Sequence, residues 1–527
     1  MFVAAIVASP EPLAAANPLP PAAAPSSNLD DPDVGRRLAA AGDVVGALRF
    51  HEGRLEMLQA RLVAAPEDDA LLELVADAHD EVADLRRGQG DLAGARRHVE
   101  ASLAIRVKRS EADLGSRPRR ADLAETHVRL GDLLDDEGDP RAAVVAFEKS
   151  LDIARRLTAI EPRNADWRRR LAMALDRIAS SLLDAGETER VAVLLGEATA
   201  IWRELSAADP KNDLLRDDLG VAAALTGRLR RAQRDLAGAE AAFDEAVAIR
   251  RTLVAEAPND PGRRLRLAFA LERSGEVKSA RGDRPAALDL FTEERIILDG
   301  LVASQPTNRS WRRASIVPYF MIGTIRLEQN DRAAARRAYR RALDLVRPLA
   351  EAEPDNPLWQ RDLAVAYRRL GGIDAAEEAL AAARRNYEAS LKITERLVER
   401  RPHDVDRRED LMAILLDRGD VALLSERLAA GERDYRRALA IGERLVADQP
   451  SEERWQRDIV AALRRVAVTA AIRGDRRQAA ALLGRAHTIL EALAKAHPDD
   501  DWARRTLEKV AERLGELGNP KRSARSR

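Results

Sequence analysis

The chain has no cysteine, so a disulfide, a thiolate metal site and a thiol nucleophile are all excluded. Aromatic residues are scarce at 3%, while charged residues reach 33%. Alanine, leucine, arginine and the two acids dominate instead, a balance that suits long helices and leaves little for strands. Neither sign of charge prevails: 87 Lys and Arg stand against 88 Asp and Glu, so no bulk field draws the protein to nucleic acid or to an anionic membrane. No apolar run approaches the ~18 residues that a bilayer span requires. Phosphate-loop, dinucleotide, HExxH and GxSxG patterns are all missing. The seven histidines (His51, His79, His98, His127, His403, His487 and His497) have no metal-ligand spacing and read as surface or packing residues. We therefore expect no catalytic, cofactor or metal residues, and no enzyme.

What the chain does have is a period. Pro162, Pro210, Pro258, Pro306, Pro354, Pro402, Pro450 and Pro498 follow one another at intervals of 48. With 527 residues, such a chain is an elongated array rather than a single core. Midway between prolines stands a second mark: Gly-Asp at Gly42, Gly90, Gly138, Gly282 and Gly474, Gly-Glu at Gly186, and Asn-Asp at Asn330. One unit is thus two segments joined by a Gly-Asp turn and separated from the next unit by a Pro turn. Asn164, Asn212, Asp260, Asn308, Asn356, Asp404 and Asp500 follow the prolines at the place of a helix N-cap. Asp139, Asp283, Asp331 and Asp475 do the same for the second segment, and the glycine before each suits a left-handed helix end. Two helices of ~21 residues, each ~31 Å long, are expected per unit.

Small and aromatic residues recur in phase. Gly227, Gly275, Gly323, Gly371, Gly419 and Gly515 all stand at offset 17 from a frame proline, with Ala179 and Ala467 as exceptions. Glycine inside a helix costs about 1 kcal/mol relative to alanine, so its recurrence implies close approach of another backbone. In the second segment, Ala143, Phe147 and Ser150 follow Gly131 at offsets of 12, 16 and 19, and Ala383, Tyr387 and Ser390 follow Gly371 likewise.

At these offsets the chain resembles the tetratricopeptide repeat family, as a variant with longer helices. The family's usual unit has 34 residues, and the extra 14 divide as 7 in each helix, which keeps the apolar face in phase within about 20°. The resemblance implies an all-α, right-handed superhelical solenoid of antiparallel hairpins. It also implies a protein–protein interaction scaffold that binds a peptide or protein segment in a concave groove lined by the first helix of each unit. The family's look-alikes include bacterial signalling proteins. On that wall, Arg169, Arg313, Arg361 and Arg457 stand at offset 7 from the frame proline, and Asp176, Glu272, Phe320, Arg368 and Arg464 at offset 14. The arginines suit an acidic peptide or a C-terminal carboxylate. The Lys/Asn clamp of chaperone-binding members is not reproduced. Two other readings stay open: a nucleic-acid-binding helical array, and the regulatory part of a larger signalling enzyme.

Residues 1–30 begin with the apolar MFVAAIVA and continue rich in Ala, Pro and Ser; with no basic residue before Arg36 they read as a disordered leader or linker remnant, with a secretory signal as the alternative. The array then covers 31–498 in about ten units, the first partial. A capping helix at 499–517 carries Trp502, Leu507, Val510 and Leu514 on its buried side, and Asp499 to Asp501 cap its start. A basic tail, 518–527, ends the chain. Pro318 and Pro348 fall inside helices and should bend the seventh unit, beside the apolar Tyr319, Phe320 and Met321. Arg234, Glu378 and Glu426 replace the midpoint glycine, and the turn is expected to persist. The five tryptophans near first-helix starts (Trp167, Trp311, Trp359, Trp455 and Trp502) are read as framework. We expect a cytoplasmic protein whose partner is a protein or peptide, not nucleic acid or membrane.

Overall fold

The computed structural model describes residues 29–40, 43–450 and 452–518. The leader and the basic tail lie outside these, save residues 29, 30 and 518, as does Gly42. Among the described residues all regular structure is helical. The chain divides into an amino-terminal unit, Met1–Ile297, and a carboxy-terminal unit, Leu298–Arg527, the division falling inside the helix Arg284–Ser304.

In the amino-terminal unit the first helices are Asp69–Gly88, Arg117–Asp136, Ala165–Asp184, Asp213–Ala232 and Pro261–Ala280, each starting one full period after the last. Second helices such as Pro140–Ile160 and Thr188–Ala208 have 21 residues against 20 for the first. The carboxy-terminal unit repeats the plan with Pro357–Ala376, Val405–Leu424 and Glu453–Ile472, and closes with Asp501–Gly518.

Local chemistry explains the boundaries. Pro162 sits in a turn closed by Asn164 N–H donating to the Glu161 carbonyl at 3.0 Å; the Asn164 side chain then accepts from Asp166 and Trp167 N–H. Asp139 caps the next helix through Ala142 N–H, and Asp475 does so through Gln478 N–H. At the midpoint turn Gly138 takes φ +84°, so that Asp139 N–H reaches the Leu134 carbonyl and Gly138 N–H reaches Asp135. Arg234, Glu378 and Glu426 adopt the same left-handed conformation, at φ 62°, 58° and 58°. Ala379 N–H still reaches Asp374 at 2.8 Å. The turn persists without glycine, at a cost of roughly 1–2 kcal/mol per site for a side chain held there.

Two elements depart from expectation. The first helix of the seventh hairpin breaks: Arg309–Ala314 ends at Ser315, and Ile316–Glu328 resumes. Pro318 has no N–H to give the Ala314 carbonyl and its ring crowds that oxygen, which places the break just after Ala314. Pro348, by contrast, lies within the unbroken helix Arg332–Ala352. The close approach at the recurrent glycine comes from an aromatic ring and not from a backbone. A methyl at Gly227 would stand 2.7 Å from Phe243 Cε1, and one at Gly275 2.8 Å from Phe291 Cε1. Gly323 faces Tyr339 and Gly419 faces Tyr435 in the same way. The exceptions obey this rule. Ala179 shares a buried cluster with Leu195, which holds the ring's place in the second helix; Ala467 pairs likewise with Leu483, and Ala83 with Val99. A larger small residue meets a smaller large one, so each hairpin keeps its packing volume. Gly515, in the terminal helix, has nothing within 4 Å.

Candidate functional site

The stripe at offsets 7, 11, 14 and 18 from the frame proline runs along one face of each first helix. First helices of adjacent hairpins touch, Ala165–Asp184 against Asp213–Ala232 in one unit and Pro357–Ala376 against Val405–Leu424 in the other. Of the seven candidate groove residues, five arginines are already engaged. Arg169 pairs with Asp218 at 3.0 Å, Arg313 with Asp362 at 3.2 Å, Arg361 with Asp410 at 2.7 Å and Arg368 with Asp417 at 2.7 Å. In each case the sequence separation is 49, one period plus one position, so the carboxylate stands on the next first helix. Arg457 pairs with Asp500, the cap of the last helix, and lies over the Trp502 ring at 4.9 Å. Burial opposes the Arg361 charge, and Asp410 outweighs it, holding the pKa above its ordinary value. A second ladder joins second helices at a spacing of 42: Arg155 to Glu197, Arg203 to Glu245, and Arg437 to Glu395. The arginine-rich composition therefore serves hairpin-to-hairpin contact first.

Phe320 is half-buried with its ring centroid 6.3 Å from that of Tyr339, and Tyr319 donates its hydroxyl hydrogen to Asp299 at 2.9 Å. These side chains join the local core more than they form an exposed patch. Arg464 is the one candidate arginine with no ion pair among the described residues, and it lines a cavity of about 500 Å³.

Position 14 is not uniformly on an open wall. Asp176 and Glu272 are buried there. Burial lifts the Asp176 carboxyl to about 7, although the Trp202 indole N–H donates to it at 2.7 Å. Burial likewise lifts Glu272 to about 7. Glu294, 1% exposed, is raised well above the carboxylate range by burial, with Glu272 and Glu276 adding repulsion. Sequence reasoning missed Glu294. The signal was present, because Glu294 interrupts the column Ser150, Ala198, Ala246, Ala342, Ser390.

The tryptophans act mostly as framework. Trp359 and Trp455 are buried, and their indoles donate to Glu353 and Gln449 just before the frame prolines. Trp167 donates to Glu161 in the same way. Trp502 is the correction: it is 38% exposed, since Ala503, Thr506 and Val510 take the inner face of that helix. Asp500 caps it through Ala503 N–H, as expected of the acidic run. Among the described residues no group of three or more His, Cys, Asp or Glu is placed to hold a metal, and no helix is long and apolar enough to cross a membrane.

The hairpins with their small-residue columns define a helical-repeat scaffold. The tetratricopeptide repeat family model matches residues 124–156 and 318–345, and these two segments carry tetratricopeptide repeats. No curated protein matches the sequence. Among solved structures, the chain is similar to BtubC from P. vanneervenii, with 18% identity over 50% of this chain and 94% of that one, at a TM-score of 0.39. It is similar to a signal-transduction ATPase with a tetratricopeptide repeat sensor from Pyrococcus horikoshii, with 12% identity over 80% of this chain and 57% of that one, at 0.43. A tetratricopeptide repeat protein from Parabacteroides merdae gives 13% identity over 63% of this chain and 98% of that one, at 0.33. At these scores the likeness carries no functional argument.

Proposed function

We propose that the protein is a non-catalytic, cytoplasmic interaction scaffold whose partner, a peptide or protein segment, lies along the exposed stripe of the first helices. One observation carries this reading. First helices of neighbouring hairpins meet within each unit, so their stripes adjoin, and the Arg–Asp ladder holds those side chains in fixed places. A preformed surface of this kind loses little ordering entropy when a segment binds. Because the arginines are paired, their contribution to a partner is a fixed array of charge-assisted donors shared with Asp218, Asp362, Asp410 and Asp417, rather than free cations.

Site-specific photo-crosslinking in cells tests the reading. Val221 and Val468 lie on the first-helix stripe and are 37% and 42% exposed; Val193 and Ile296 lie on second helices and are 71% and 58% exposed. The same protein adduct should form from the first pair and not from the second. Adducts confined to Val193 and Ile296, or to nucleic acid, would overturn the proposal.

A further inference from the structure

The candidate cation without a partner lies at the carboxy-terminal end. Arg464 on the helix Glu453–Ile472 and Lys509 on the helix Asp501–Gly518 face the same cavity of about 500 Å³, within the size range of binding pockets. Two further cations line it, and both are spoken for: Arg465 pairs with Asp420 at 2.9 Å and Arg513 with Glu516 at 2.6 Å. Arg464 and Lys509 have no ion pair among the described residues, and no acid lines the cavity. The other lining residues are apolar: Leu483 and Val510 are buried, Leu517 is half-buried, and Val468 is 42% exposed. Partial burial and the neighbouring Arg465 guanidinium both oppose the charge on Arg464 and lower its pKa. An anion at this place would relieve both.

We propose that this cavity receives an acidic, leucine-bearing helical segment of a partner protein, its apolar side chain on the Leu483–Val510 floor and its carboxylates on Arg464 and Lys509. The inference rests on the scaffold reading above and names the chemistry of one end of its surface. Charge selects the occupant. The chain's own residues 519–527, NPKRSARSR, carry four basic residues and no acid, the wrong sign for this rim. Cations on two facing helices with an apolar strip between them match a helix that shows acids on both flanks of an apolar ridge.

The test uses the full chain and a fluorescein-labelled, amidated ten-residue peptide of Asp, Glu and Leu, followed by anisotropy. The peptide should bind, weaken as salt rises, and lose at least tenfold in affinity with Arg464→Glu or with the milder Lys509→Ala, both checked for unchanged helical content. A peptide with Lys in place of the acids should not bind. Amide exchange should slow over 464–471 and 509–517. Absence of binding overturns the proposal. Binding with protection on other first helices, unmoved by either variant, overturns this cavity while leaving the scaffold reading intact. Binding of dodecanoate without the peptide, or protection by a second copy of the chain in sedimentation, overturns the choice of occupant.

Discussion

The two units use one hairpin and differ in how they treat charge at one position of it. At offset 14 from the frame, the amino-terminal unit buries Asp176 and Glu272, while the carboxy-terminal unit places Arg368 there, paired to Asp417. Arg273 and Arg231 offset only part of the effect of burial on Glu272, and Glu276, which repels it, pairs with both arginines. The lesson is that a repeat position fixes geometry, and the chemistry is set by the residue standing one unit on. Burial keeps such a carboxyl protonated up to near neutral pH, whereas an arginine with an aspartate waiting on the next first helix stays charged.

The comparison breaks most visibly with pH. Glu272 has a folded pKa of about 7 against 4.5 for the ordinary group. The folded state thus holds its proton more tightly, so stability is fully present below 4.5 and is lost as pH rises through 7. That difference corresponds to about 3 kcal/mol. Asp176, also at about 7, acts in the same direction. Amide exchange in Pro261–Ala280, corrected for intrinsic rate, should therefore accelerate between pH 5 and 8, and Glu272→Gln should flatten that dependence. An unchanged profile in the variant would remove the buried acid from the account.

A smaller effect tests what the units share. Gly227→Ala forces a methyl against Phe243 and should destabilise by about 1–3 kcal/mol despite alanine's better helix propensity. Gly371→Ala should cost less, because its methyl would lie 3.0 Å from Tyr387 Cε1 against 2.7 Å at Gly227. Adding Phe243→Leu to Gly227→Ala should recover most of the loss, as the native Ala179–Leu195 pair implies; thermal melts of the four proteins give the coupling. The smallest effect belongs to the ladder. Arg361→Gln should lower stability by about 1 kcal/mol, with the difference shrinking at high salt, since the pair, its side chains 26% and 16% exposed, is still within reach of solvent ions.

Much of this was legible in the sequence. The interval between prolines marked the helix starts, the Asn and Asp caps fell where their side chains were placed, and the turns at Arg234, Glu378 and Glu426 survived because the downstream column stayed in phase. What was not legible required two columns to be read together. The recurrent glycine suggested a neighbouring backbone, and only its match with a ring in the second helix, or with Leu195 when it is Ala179, identifies the neighbour. The candidate arginines looked available because each was read alone; the aspartate at the following position of the next unit was already in the chain. Trp502 was placed inward by analogy with Trp359 and Trp455, but the terminal helix has only one side covered, so alanine and threonine suffice for its inner face.

The matched small and large residues have a consequence for how such a chain changes length. Both members of each pair lie between successive frame prolines, so a recombination event at those prolines adds or deletes a hairpin with its own fit intact. The Arg–Asp contacts bridge such a junction and re-form only where the incoming hairpin brings the right charge at its border. Growth by duplication thus keeps each hairpin's internal fit, while the apolar core that continues across a junction and the ion pairs that bridge it both select which hairpins can become neighbours.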